Sequence, residues 1–255
     1  MNEHQRLRYS RQMLLPGFGE AGQTWLLGAR VLVVGVGGLG SAVAMYLAAA
    51  GVGHLVLSDY DRVDLSNLQR QLAHRNEDVG RLKVDSARDT LLALNPDITV
   101  TVIPYVLEDA NLEEEVRRCT VVVDACDNFE TRFALNRACH RTRVPLISGA
   151  AVGMAGQVAV FPHQGETPCY HCLYQDDGTP GEPCTRIGIL APIVGIIGSV
   201  QATETLKWIV GLGDPLVGRL LVLDALAMTW RTLRLKRDPA CPICGTKRAN
   251  SHDPS

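Results

Sequence analysis

The sequence predicts an α/β fold: a Rossmann-like, doubly wound and mostly parallel sheet, extended by antiparallel strands and carrying a four-cysteine knuckle. Three observations support this. Short apolar runs alternate with helical patterns through roughly the first 150 residues, the order that builds parallel sheets. A glycine-rich loop follows the first apolar run. Two Cys-x-x-Cys pairs, Cys169/Cys172 and Cys241/Cys244, stand in the second half, where the alternation ends.

Arg30 to Gly35 is a continuous apolar run ending in glycine, as expected of a strand buried on both faces. Gly38 to Ala50, rich in Ala and Leu, reads as a helix, and His54 to Ser58 as the second strand. Gly80 to Leu94 places Leu82, Ala87, Leu91 and Leu94 at helical spacing. A strand follows at Ile98 to Ile103 and a helix at Leu112 to Arg118. Val121 to Ala125 is a buried strand, Phe129 to Arg141 a helix and Pro145 to Ser148 a strand. Val152 to Phe161, with Gly153 and Gly156, reads as a hairpin or kinked strand. Gln175 to Pro183 is a Gly/Pro/Asp-rich loop, and Ile189 to Val210 a long helix. Leu220 to Leu223 and Met228 to Leu235 read as antiparallel strands.

The chain has 255 residues, 46% of them hydrophobic, which excludes disorder as the main state. Its 25 basic and 27 acidic residues lack the basic excess that nucleic acid requires. The longest apolar run, Ile187 to Val200, falls short of the roughly 20 residues of a membrane span and contains Pro192. The polar, charged N-terminus predicts no signal peptide, and cysteines without a secretory signal predict a reducing cytoplasm rather than a disulfide framework.

Gly35, Gly37 and Gly40 satisfy GxGxxG between strand and helix, where backbone amides meet phosphate at a helix N-terminus. Asp59 follows at the end of the second strand, placed to take ribose hydroxyls. The motif alone does not separate a dinucleotide from a nucleoside triphosphate. Nearby cations favour ATP: Arg70, within Ser66-Asn67-Leu68-Gln69-Arg70-Gln71, and Lys83 both suit a triphosphate of about four negative charges. Asp127 and Asn128 follow the buried strand at the edge where ligands bind in such sheets, so Asp127 is a candidate for Mg²⁺ or for the helix cap. Asp124, inside the strand, reads as structural.

Two Cys-x-x-Cys knuckles fit a closed, tetrahedral four-thiolate zinc site, Cys169, Cys172, Cys241 and Cys244, with a structural role. Redox pairs and an iron–sulfur cluster are the rivals, and two matched knuckles favour zinc. Cys184, followed by Thr185 and Arg186, is either a loop bystander or a nucleophile in a partly cationic setting.

With GVGGLG, SNLQRQ, Lys83, DACDN and both knuckles in place, the chain resembles the ThiF/MoeB/HesA family, bacterial relatives of ubiquitin-activating enzymes, from Arg8 to Cys244. Ser148 to Ala151 and the helix from Pro192 through Gly195 to Glu204 resemble the molybdopterin branch most, with the thiamine branch a near second. The resemblance implies an ATP-dependent adenylyltransferase. Its substrate would be the C-terminal glycine, in a Gly-Gly tail, of a small ubiquitin-like sulfur carrier. It implies that Gly38 and Asp59 bind the nucleotide, together with Ser66 to Gln69 and Asn128. Asn67, Arg70 and Lys83 would hold phosphates, and Asp127 Mg²⁺. Arg11 would reach the neighbouring subunit's ATP in a homodimer, and a separate sulfurtransferase would supply sulfur. Cys184 would serve a later sulfur-transfer step in the thiamine branch. One domain over residues 1–248 is expected. Its nucleotide part would span about 25–150, its carrier and zinc part about 151–248, and a frayed tail 249–255. The alternatives are an NAD-dependent oxidoreductase and a non-enzymatic nucleotide sensor.

Overall fold

The computed structural model describes residues 1–175 and 188–245. Its framework is one eight-stranded sheet in the order β3-β2-β1-β4-β5-β6-β7-β8. Strands β1 (Arg30–Val34), β2 (His54–Ser58), β3 (Thr99–Ile103), β4 (Val121–Asp124) and β5 (Leu146–Val152) run parallel. Strands β6 (Ala155–Phe161), β7 (Arg219–Asp224) and β8 (Thr229–Arg234) continue the sheet antiparallel from β5.

The apolar run of β1 is continuous because helices cover both of its faces. Val31 and Val33 join the core beneath α3 (Gly38–Ala50), α4 (Lys83–Leu94) and α8 (Ala191–Val210). Leu32 joins the opposite core, with α5 (Asp109–Arg117), α6 (Phe129–Thr142) and the short α7 (Tyr170–Leu173). Period-2 alternation therefore sends apolar side chains to two cores. β3, at the edge, shows the polar alternation of a half-covered strand.

The expected strands and helices form, with shifted ends. The Val152–Phe161 pattern is the second arm of a true hairpin: β5 runs on to Val152 and pairs residue for residue with β6. The helix expected from Gly80 starts at Lys83, because Gly80 sits at φ +90° and Leu82 is extended. The helix expected from Leu112 begins earlier, at Asp109. The long helix starts at Ala191, with Pro192 in its first turn, where a missing N–H costs nothing.

Two helices precede β1: α1 (Glu3–Met13) and α2 (Gly19–Gly28). α1 starts with a capping box, Asn2 accepting from the Gln5 amide while the Gln5 side chain accepts from the Asn2 amide. It anchors by Tyr9, which is buried and accepts from Asn95 Nδ2 at 2.9 Å, and by Gln12, which donates to the Ala50 carbonyl at 2.7 Å. The loop Gln175–Pro183 beyond residue 175, Cys184 and the tail 249–255 lie outside the described residues. Among the described residues no helix is long and apolar enough to cross a membrane.

Candidate functional site: a nucleotide pocket at the strand-order reversal

In the order 3-2-1-4-5 the sheet reverses between β1 and β4, and a crevice opens beyond the carboxyl ends of these strands. A cavity of about 430 Å³ occupies that place, lined by residues from the ends of β1, β2 and β4. The glycine loop forms its floor. Gly35 has φ +87°, and a Cβ there would lie 2.7 Å from the Ala125 carbonyl, so strand end and neighbouring loop touch only because Gly35 has no side chain. A Cβ at Gly40 would come within 1.9 Å of the Gly35 carbonyl. Gly38 opens α3 and lines the cavity, so the first amides of α3 lie at its floor.

Asp59 stands beside this loop and does two jobs in the backbone. Its Oδ2 accepts from the Val36 amide at 2.7 Å and its Oδ1 from the Asp61 amide at 2.9 Å. Carboxylate oxygens retain further lone pairs for ribose hydroxyls. His74 pins the other side, its Nε2 donating to the Val36 carbonyl at 3.1 Å. Burial lowers its pKa, which keeps the ring neutral. Lys83, only 6% exposed, reaches back from the start of α4 to Asp61 Oδ2 at 2.7 Å. Arg70 lines the cavity, its Nη1 donating to the Ser66 carbonyl at 3.1 Å. Burial, then Asp61, Asp127 and Asp59, raise the pKa of the neighbouring Tyr60, and Lys83 opposes them only in part.

Behind the end of β4 sits a buried network. Asp124 is fully buried and accepts from Ser148 Oγ at 2.6 Å and from Cys126 Sγ at 2.7 Å, while Arg132 Nε lies 4.0 Å from its Oδ2. Arg132 Nη2 donates to the Cys126 carbonyl at 2.6 Å, and Gln201 Nε2 to the Asp124 carbonyl at 2.7 Å. Burial works against the Arg132 charge, and Asp124 outweighs it. Burial and Asp124 push the Cys126 thiol well up, so it is a packing group and not a nucleophile. The network fixes the backbone on which Asp127 is mounted. The cap of α6 is Asn128, whose Oδ1 accepts from the Thr131 amide at 2.8 Å, so capping does not require Asp127. Both residues line the cavity.

The structure thus brings together Gly38, Asp59, Arg70, Lys83, Asp127 and Asn128. It does not bring Ser66, Asn67, Leu68 and Gln69 to the cavity wall. Ser66 and Asn67 instead close a helical turn with Asp64: Asp64 Oδ1 accepts from the Ser66 amide at 2.8 Å, and the Asp64 amide donates to Asn67 Oδ1 at 3.2 Å. Arg11 is exposed in the last turn of α1 and does not line the cavity of its own chain. Asp61 is a wall residue that the sequence reading missed. The only signal for it was a second acid two residues after Asp59. Leu107 and Leu112 add an apolar wall, and the lining continues onto β5 to β7 through Ala151, Gly156 and Val222.

The four knuckle cysteines converge beside α6 and α7. Their sulfurs all lie within 4.8 Å of one another, with Cys169 and Cys241 3.7 Å apart and Cys172 and Cys244 3.3 Å apart. These separations exceed a disulfide bond and approach the roughly 3.8 Å edge of a tetrahedral zinc–thiolate site. The Asp238 amide donates to Cys172 Sγ at 3.4 Å and Asn136 Nδ2 to Cys169 Sγ at 3.7 Å, donors that favour thiolates. The donor set and its closed geometry fit zinc.

Comparison with known proteins agrees with this geometry. The chain is 45% identical over 245 residues to a molybdopterin-synthase adenylyltransferase of Escherichia coli, covering 96% of this chain and 98% of the relative. It is 43% identical over 250 residues to a sulfur carrier protein ThiS adenylyltransferase of the same organism, covering 98% and 99%. A crystal structure of E. coli MccB with ATP superimposes with a TM-score of 0.82 at 26% identity, over 93% of this chain and 73% of that one. The ThiF family model matches residues 9–243, and the chain belongs to the ThiF family.

Proposed function

We propose that this chain is an ATP-dependent adenylyltransferase. It activates the C-terminal glycine of a small ubiquitin-like sulfur carrier, the small subunit of molybdopterin synthase, in molybdenum cofactor biosynthesis. The observation that carries the proposal is one cavity that joins a glycine loop, Arg70, Lys83 and Asp127 to a small-residue surface on β5 and β6. The first group suits a triphosphate. The second, with Ala150, Ala151, Ala155 and Gly156 in the lining, leaves room for a main chain without side chains. The relatives named for carrier activation supply the substrate class.

In this reading a carboxylate oxygen of the carrier attacks the α-phosphorus of ATP. The bond from the α-phosphorus to the bridging oxygen of the β-phosphate breaks, and pyrophosphate leaves with that electron pair. The product is an acyl-adenylate. Asp59 and the α3 N-terminus hold the ribose and phosphates, and Arg70 and Lys83 stabilise the charge that develops on pyrophosphate. Lys83 is already aimed by Asp61, so little reorganisation accompanies the step. Asp127 would hold Mg²⁺, which would supply neutralisation of the phosphate charge. The four cysteines would hold structural zinc, and thiols that must stay reduced support a cytoplasmic setting.

A homodimer accounts for Arg11, which reaches the partner's triphosphate from α1. Mixing Arg11→Ala with Lys83→Ala subunits then restores one site in two. Cys184 would act after adenylation, by attack of its thiolate on the acyl-adenylate with AMP leaving. The relative named for the thiamine carrier, 43% identical, keeps that carrier as a second reading. The direct test incubates the protein with ATP, Mg²⁺ and each carrier and measures intact carrier mass. An adenylate on the molybdopterin carrier supports the first reading, an adenylate on the thiamine carrier alone supports the second, and none on either removes both.

A further inference from the structure

One polar side chain in the cavity has no task in the protein. Gln71 is 4% exposed and lines the cavity beside Arg70, Lys83 and Gly37. Its backbone is fully employed: its amide donates to the Asn67 carbonyl at 3.0 Å, and its carbonyl accepts from the His74 amide at 3.1 Å. Its side chain is not. Oε1 is buried without a hydrogen-bond partner. Nε2 lies against the glycine loop, where a Cβ on Gly37 would be 3.5 Å away.

A buried amide normally has its hydrogen bonds made, and leucine or methionine would fill the same volume without an unmet polar group. Natural sequences keep such local conflicts at sites that a ligand completes. The partner must satisfy both ends of an amide. Nε2 offers two N–H donors toward the glycine loop, and the neighbouring side chains Arg70 and Lys83 attract anions. Phosphate oxygens accept from the amide nitrogen, and water ordered around a phosphate donates to the amide oxygen. An apolar ligand or a cation leaves one end unmet.

We propose that Gln71 is a phosphate-binding residue of this pocket, donating from Nε2 to the phosphate chain of the bound nucleotide. It supplies a neutral donor where the two cations supply charge. The inference rests on the nucleotide reading of the cavity, and it separates a phosphate contact from a base or ribose contact.

The test measures binding of ATP with Mg²⁺ and, separately, of adenosine by calorimetry. The proteins are wild type, Gln71→Leu and Gln71→Glu, each with its melting temperature. Gln71→Leu removes the donor and the unmet acceptor together. ATP affinity is expected to fall 10- to 100-fold, adenosine affinity to stay within twofold, and the melting temperature to equal or exceed wild type. Gln71→Glu keeps the shape, removes the donor and adds a negative charge, so it should lose more ATP affinity than leucine does. Should Gln71→Leu fold poorly, the glutamate variant carries the same comparison. ATP affinity within twofold of wild type in the glutamate variant overturns the proposal, as does an equal loss for ATP and adenosine. A wild-type protein that forms no carrier adenylate, yet shows the ATP-specific loss on substitution, removes the proposed function and supports the role of Gln71.

Discussion

The two ends of the single sheet are held in different ways. From β1 to β5 the strands carry apolar residues to two cores, and Val31, Leu32, Val33, Val121, Val122 and Val123 are all fully buried. At the other end burial thins. All six residues of β8 are exposed, including Trp230 and Leu233. Beyond β8 the described chain to residue 245 has neither helix nor strand, and is tied back by the four cysteines and by Arg237, whose Nε donates to the Cys244 carbonyl at 2.8 Å. Where the core runs out, zinc on the four cysteines would cross-link the chain segments, as in small domains that lack enough apolar area. The cavity opens at the ends of β1, β2 and β4 on the well-packed side and extends from there toward β7.

Removing the metal breaks this comparison hardest. One zinc per chain is expected by elemental analysis, and none in Cys241→Ala. Closing the four-thiolate site should contribute more than ~3 kcal/mol to folding. Hydrogen exchange should therefore rise steeply in residues 219–245 and around Tyr170 while β1 to β4 stay protected. Uniform loss of protection would show that the two ends unfold together.

The next effect touches only the other end. Asp127→Ala should lower carrier adenylation at least 100-fold, about 2.7 kcal/mol of barrier, with zinc content and melting temperature unchanged. Turnover near wild type would leave Asp127 without a role in the reaction.

The smallest effect sharpens the contrast by pH. His163, at φ +53°, is buried against His140 with neither ring nitrogen hydrogen-bonded. Burial, then His140, pushes it down to about 3, against about 6.5 when unfolded. Between those values the unfolded chain takes up the proton and the native chain does not, so stability falls as pH drops from 6.5. One such group gives a slope of about 1.4 kcal/mol per pH unit. His163→Asn, which tolerates positive φ, should flatten the slope between pH 6.5 and 5. An unchanged slope would assign acid sensitivity to other groups.

How much of this was legible follows the same division. The β1 run and its glycines stand in consecutive residues, so strand, loop and helix could be read together. The cysteine site was legible because knuckle spacing is local even though the two knuckles are far apart. α1 was not, because it buries only Tyr9 fully and attaches through polar contacts to Ala50 and Asn95. Nor was the Lys83–Asp61 pair, or the hold of Arg132 and Asp124 on the loop of Asp127, since only the fold makes these residues neighbours. Ser66 to Gln69 were named through the motif that carries the family resemblance, and Asp64 holds Ser66 and Asn67 in a helical turn that no local sequence signal announced.

The central claim is that this cavity uses ATP to activate a carrier's terminal carboxylate. Exchange of labelled pyrophosphate into ATP tests it most directly, with the zinc-replete protein and two forms of the same carrier, one with a free C-terminal glycine and one with that glycine amidated. The account predicts exchange with the free carboxylate and none with the amide, because only the carboxylate can form an acyl-adenylate. Equal exchange with both forms, or none with either candidate carrier, would contradict it.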